Sequence, residues 1–115
     1  MQYFDADAGA ALKAAFDDRV ADWEGVDSKP MFGCPSYRAD GELFAVLVTD
    51  GVALTRLPDD RRVDLETVFE TGPFRAGERT VTKWVRVAVE DPADLDSLLP
   101  FVEASYETAR AERAH

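Results

Sequence analysis

Apolar residues recur at Leu12, Phe16, Val20 and Trp23, at spacings of four, four and three. Such spacing draws one stripe along a helix of 3.6 residues per turn. It predicts a helix over about Ala8 to Trp23, with Asp17, Asp18 and Asp22 on the other faces. Asp5 or Asp7 can cap its start by accepting from free backbone N–H groups, and Gly25 supplies a stop. The period then changes. Met31 to Ala39 reads as a first strand, irregular around Gly33 and Pro35. Asp40-Gly41 predicts a hairpin, because both residues tolerate positive φ. From Glu42 to Thr49, Leu43, Ala45 and Leu47 alternate with Phe44, Val46 and Val48. Both sets are apolar, so this second strand is expected to be central and covered on both faces. Asp50-Gly51 marks the next turn, and Val52 to Leu57 the third strand.

Pro58 can open a short helix, with Asp59 and Asp60 near its positive end. That helix is expected to run to about Phe69 and to bury Leu65, Val68 and Phe69. Gly72-Pro73 ends it, and a loop leads to a long fourth strand, Arg79 to Val89. Asp91 and Pro92 then start a last helix with Leu95, Leu98, Leu99, Val102, Tyr106 and Ala109 as its buried stripe. Pro100 inside it predicts a kink or a local break in hydrogen bonding, and the tail from Ala111 is expected to fray. The predicted order is α-β-β-β-α-β-α. Tight Asp-Gly turns leave room only for antiparallel pairing. The fold class is therefore α+β: an antiparallel sheet, a meander plus one later strand, flanked by N- and C-terminal helices.

Length and charge sharpen this picture. The 115 residues suit a single domain over 1–115, burying roughly two thirds of the surface that the unfolded chain exposes. Cys34 is the lone cysteine, which points to a reducing compartment. The first 30 residues include Asp5, Asp7, Asp17, Asp18 and Asp22 and no apolar run of signal-peptide length. The longest apolar stretch, Leu43 to Val48, is six residues, against the about 20 that a membrane span needs. A cytoplasmic protein without membrane contact is expected. The net charge is −10, built from 14 Asp and 9 Glu against ten Arg and only three Lys. An Asp-rich, Lys-poor surface suits a halophilic source, since molar salt shortens the Debye length to about 3 Å and screens carboxylate repulsion. GC-rich coding would also favour Arg over Lys. Residues 1–50 sum to −6, residues 51–90 to zero and residues 91–115 to −4, so the basic side chains gather in the middle. The whole chain would repel nucleic acid, which leaves at most a local Arg-rich face for it.

The segment Lys29-Pro30-Met31-Phe32-Gly33-Cys34-Pro35, followed by Tyr37 and by Asp40-Gly41-Glu42-Leu43-Phe44-Ala45, resembles the signature of the TfoX N-terminal domain family. Leu54 to Leu57, Pro73-Phe74, Lys83-Trp84 and the helix start Asp91-Pro92 extend the resemblance over nearly the whole chain. It implies an α+β fold like that of secretion-chaperone and YjbR-type domains, and a role around transcriptional regulation of competence. Full-length regulators of that kind carry a second, helical domain, and the resemblance covers only the first. It names no enzymatic residues.

Lys83 is the foremost candidate for function. In the fourth strand it shares parity with Val81, Val85, Val87 and Val89, which puts it on the more apolar face. A lysine there is costly unless paired or able to reach water. One reading is an anion- or partner-binding site with Arg56, Lys29 and the loop Met31, Phe32, Gly33 and Cys34. The other is a β-bulge or a snorkelling stem. Trp84 beside Arg86 is either core or a partner surface. Cys34 lacks an activating base, since the sole histidine is His115, and reads as a buried structural thiol. One Cys and one His make no ordinary zinc site, and no phosphate-binding glycine loop occurs. No cofactor and no catalysis are expected. Asp64, Glu66, Arg61 and Arg62 read as a solvated helix face. Two functions stay open: a regulatory or interaction domain working through a protein partner or a homodimer, and a small-anion binding domain using a Lys/Arg cluster on the sheet.

Overall fold

The computed structural model describes residues 7, 9–31, 33–49, 51–76, 79–89, 91 and 93–114. The order is α1 (Ala10–Val20), β1 (Val26–Met31), β2 (Cys34–Ala39), β3 (Glu42–Val48), β4 (Gly51–Leu54), α2 (Asp59–Val68), β5 (Thr71–Ala76), β6 (Arg79–Ala88) and α3 (Asp94–Ala114). The α+β class with an antiparallel sheet and flanking helices is as expected. Two strands are additional. The strand expected over Met31 to Ala39 is β2, and the residues before it, unassigned in the sequence, form β1 and pair with it through a turn at Gly33, φ +76. The segment read as a loop after Gly72-Pro73 is β5.

All strand pairs are antiparallel, in the order β1-β2-β3-β4-β6-β5. The chain leaves β4, passes through α2 to the far edge as β5, and returns as β6 beside β4. Asp40 at φ 53 and Gly41 at φ 89 form the β2–β3 turn that the sequence predicts. The next turn includes Asp50, outside the described residues, and Gly51 already pairs within β4. Pro30 and Pro73 lie on the two outermost strands, where a missing N–H costs a sheet least.

β3 lies inside the sheet, and Phe44 to Val48 are all buried, so it is covered on both faces. Its register against β2 slips between Tyr37 and Arg38. The slip lets Phe44 join Trp23 and Tyr106, at ring distances of 6.4 and 5.5 Å, while Ala45 lies opposite Tyr37. Tyr37 in turn packs on Phe16 of α1 at 4.7 Å. The helical layer is thus pinned by aromatic rings from α1 and α3. Leu12, Phe16 and Val20 are buried, as their spacing predicts. α1 ends sooner than expected, with turns carrying the chain to Trp23, and its cap position is Gly9 rather than Asp7. Asp5 and Ala8 lie outside the described residues. The stripe of α3 holds at Leu95, Leu98, Val102, Tyr106 and Ala109, and Leu99 is half-buried. Asp91 caps its approach by accepting from Ala93 N–H, and the helix continues through Pro100 to Ala114 instead of ending near Ala111. Pro92 lies outside the described residues.

α2 buries Leu65 alone; Val68 is exposed and Phe69 only half-buried. Ser105, fully buried on α3, ties the layers together: its hydroxyl donates to Phe44 C=O at 2.7 Å and accepts from Arg56 N–H at 3.1 Å. No helix among the described residues is long and apolar enough to cross a membrane.

Candidate functional site

The predicted site residues separate into three places. Met31, Gly33 and Cys34 form the β1–β2 hairpin, and Phe32 lies outside the described residues. Lys29 is exposed on β1, opposite Ser36. Arg56 and Lys83 lie elsewhere, at the other end of the strands. β4 pairs with β6 through Leu54 opposite Val85, and continuing that register brings Arg56 toward Lys83. Four strand spacings of about 4.8 Å separate β1 from β6, so Lys29 is roughly 19 Å away across the sheet. The expected trio is therefore a pair.

That pair lines a hollow of about 610 Å3 between the start of α2 and the end of α3, with Thr55, Arg62 and Glu112 among its walls. Lys83 lines this hollow together with Thr108 and Glu112 of α3, on the helical side of the sheet. It also occupies a bulge: Pro73 pairs with Val85 and Phe74 with Val81, so Thr82, Lys83 and Trp84 have no partner in β5. The β-bulge reading of Lys83 thus holds. Trp84 is half-buried and packs on Phe74 at 5.1 Å.

The two cations of the pair differ. The Arg56 guanidinium donates to Leu43 C=O at 2.8 Å, to Glu42 at 3.0 Å and to Glu112. It clamps β3, β4 and α3 and is internally neutralised. Lys83 is exposed and makes no hydrogen bond or ion pair with a described residue. By contrast, Lys13, Arg19, Arg38, Arg56, Arg62 and Arg110 each have a carboxylate within 4.0 Å, whereas Lys29 and Arg61, like Lys83, have none among the described residues.

Cys34 is fully buried, and burial pushes its thiol above the ordinary range. The thiolate is the reactive form, so labelling by a disulfide reagent at pH 8 is expected to proceed only as fast as the protein unfolds, and at the free-thiol rate in denaturant. Rapid native labelling would contradict the burial. Tyr37 is also raised, first by burial and then by the hydrogen bond it donates to Asp17 at 2.5 Å; this is a structural tie to α1. No cluster of three or more metal-ligating side chains occurs among the described residues.

The family model described as TfoX N-terminal domain matches residues 18–109. The chain belongs to the TfoX N-terminal domain family. In this TfoX N-terminal domain the Met31 to Cys34 motif is a hairpin at one end of the sheet, and the Lys83-Trp84 motif a bulge toward the other. No curated protein and no solved structure matches the chain.

Sequence reasoning placed Lys83 and Arg56 in one site but read Arg62 as part of a solvated helix face, whereas Arg62 lines the same hollow. It also read Arg61 as a solvated surface charge. The structure instead lays Arg61 over the Phe101 ring at 5.1 Å.

Proposed function

We propose that this TfoX N-terminal domain is a non-enzymatic regulatory or interaction domain, and that it engages carboxylates of a protein partner in the hollow at Lys83. The observation behind this reading is Lys83, which pairs with no described residue and is held beside Arg56 and Arg62 in a concave site. Elsewhere the chain's acidic excess would repel an acidic partner, so attraction has to be local. Prolines on both outermost strands disfavour strand addition at either edge, which favours contact through side chains over a sheet-to-sheet homodimer. The sealed thiol and the absence of a nucleophile–base pair in the sequence reading support a role without catalysis. The charge balance favours a salt-rich cytoplasm as its setting and disfavours nucleic acid as a partner.

A hollow of about 610 Å3 also suits a free small anion as a second reading. Calorimetry with a Glu-rich hexapeptide and, separately, with inorganic phosphate distinguishes the two. The peptide is expected to bind with an affinity that falls as salt rises, and to weaken about tenfold in Lys83→Met, in line with a charge-assisted contact of about 1.4 kcal/mol. Binding by phosphate alone would favour the second reading. Equal binding by wild type and Lys83→Met would defeat both.

A further inference from the structure

A second groove, of about 750 Å3, lies between the end of α1, the start of α2 and the middle of α3. Its size falls in the range of small-molecule pockets, about 300–1,000 Å3. Trp23, Leu99 and Ala104 give it a half-buried apolar floor. Within it Arg19 is matched by Asp96 at 2.8 Å and by Ala15 C=O at 2.9 Å. The remaining charges meet no opposite charge among the described residues. Arg61 is held over Phe101, and its Nε is buried with no hydrogen-bond partner among the described residues. A buried cationic donor without an acceptor is costly, and such an atom in a native structure calls for an explanation.

Glu103 and Glu107, one turn apart on α3, line the same groove, and neither has a cation within 4.0 Å among the described residues. Their mutual hydrogen bond raises Glu103 above the ordinary glutamate range, with burial and charge repulsion adding to it. Opposite charges therefore share one groove without meeting. The orphan donor lacks an acceptor, the carboxyl pair lacks a cation, and the floor between them is apolar.

We infer that this groove binds a free α-amino acid with an apolar side chain, its carboxylate received by Arg61, its ammonium by Glu103 and Glu107, and its side chain by the Trp23 and Leu99 floor. The site is independent of the Lys83 hollow. The test uses the full chain and follows amide chemical shifts during titration with L-leucine, leucinamide, which lacks the carboxylate, and N-acetyl-leucine, which lacks the ammonium. L-leucine is expected to shift residues around Leu99 to Glu107 and to bind at least about tenfold more tightly than either analogue. Arg61→Met should abolish the preference over leucinamide. Glu103→Gln, at an exposed position that folding does not depend on, should reduce the preference over N-acetyl-leucine, and Lys83→Met should change neither. No shift at millimolar leucine, equal binding of the three compounds, or preferences that survive both variants would overturn the assignment.

Discussion

Phe44→Ala is expected to cost about 3–5 kcal/mol of folding stability, the range for removing a buried phenylalanine. Phe44 is fully buried on a strand inside the sheet, in contact with Trp23 in the turn after α1 and Tyr106 in α3. No other side chain of the sheet has ring contacts both to the turn after α1 and to α3 among the described residues. Truncation leaves a cavity that cannot collapse easily. Trp23 and Tyr106 are already packed at 4.9 Å, and the Tyr106 hydroxyl is tied to Glu24 C=O at 2.5 Å. Domains of this size have about 5–15 kcal/mol in all, so the loss removes a large share. The melting temperature should fall by roughly 10–20 °C. Val63→Ala, at a position 61% exposed, should stay within about 0.5 kcal/mol. Similar midpoints for the two variants in urea would mean that the aromatic cluster does not hold the helical layer to the sheet.

The same cluster shows how far the sequence could be read. Its members were visible as core because the stripes of α1 and α3 repeat at helical spacing and β3 is apolar on both faces. What no spacing reveals is the one-residue slip opposite Tyr37, which turns Phe44 toward the helices. The two strands absent from the sequence reading share a physical cause. β1 is an edge strand with four consecutive exposed residues, so it has no alternation, and Pro30 and Pro35 imitate an irregular segment. β5 begins Thr71-Gly72-Pro73, which reads as a breaker, yet at an edge proline forfeits little. The candidate site divides along the same line. Lys83 was legible from parity alone. Its proximity to Arg56 follows from register once β4 is known to pair with β6, whereas grouping Lys29 with them required a strand order that the sequence does not encode locally. The groove at Arg61 draws its charges from three helices, and each looks like ordinary surface charge on its own helix.

The strand pair that carries Arg56 and Lys83 depends on a contact at its far end, and Gly51→Ala is expected to break it. Gly51 is buried opposite Ala88, and a Cβ there would lie 2.2 Å from Val87 O and 3.2 Å from Val87 C. Its backbone is not in the positive-φ region, so the difficulty is space rather than torsion. The obstructing atoms are backbone of the adjoining strand, which cannot swing aside as a side-chain end can. Relief requires β4 and β6 to separate, and β6 also carries the edge strand β5. The cost should reach or exceed the upper end of the ~1–3 kcal/mol seen on overpacking a core. Gly72→Ala is the internal control. Gly72 lies in the same sheet opposite Arg86, with nothing within 4 Å of an added Cβ and no positive φ. There the methyl should be neutral or stabilise by about 0.4–1 kcal/mol through the unfolded chain. Urea titrations of the two variants therefore should diverge in opposite directions, and coincident midpoints would show that β4 and β6 do not approach as closely as the packing of Gly51 against Val87 requires.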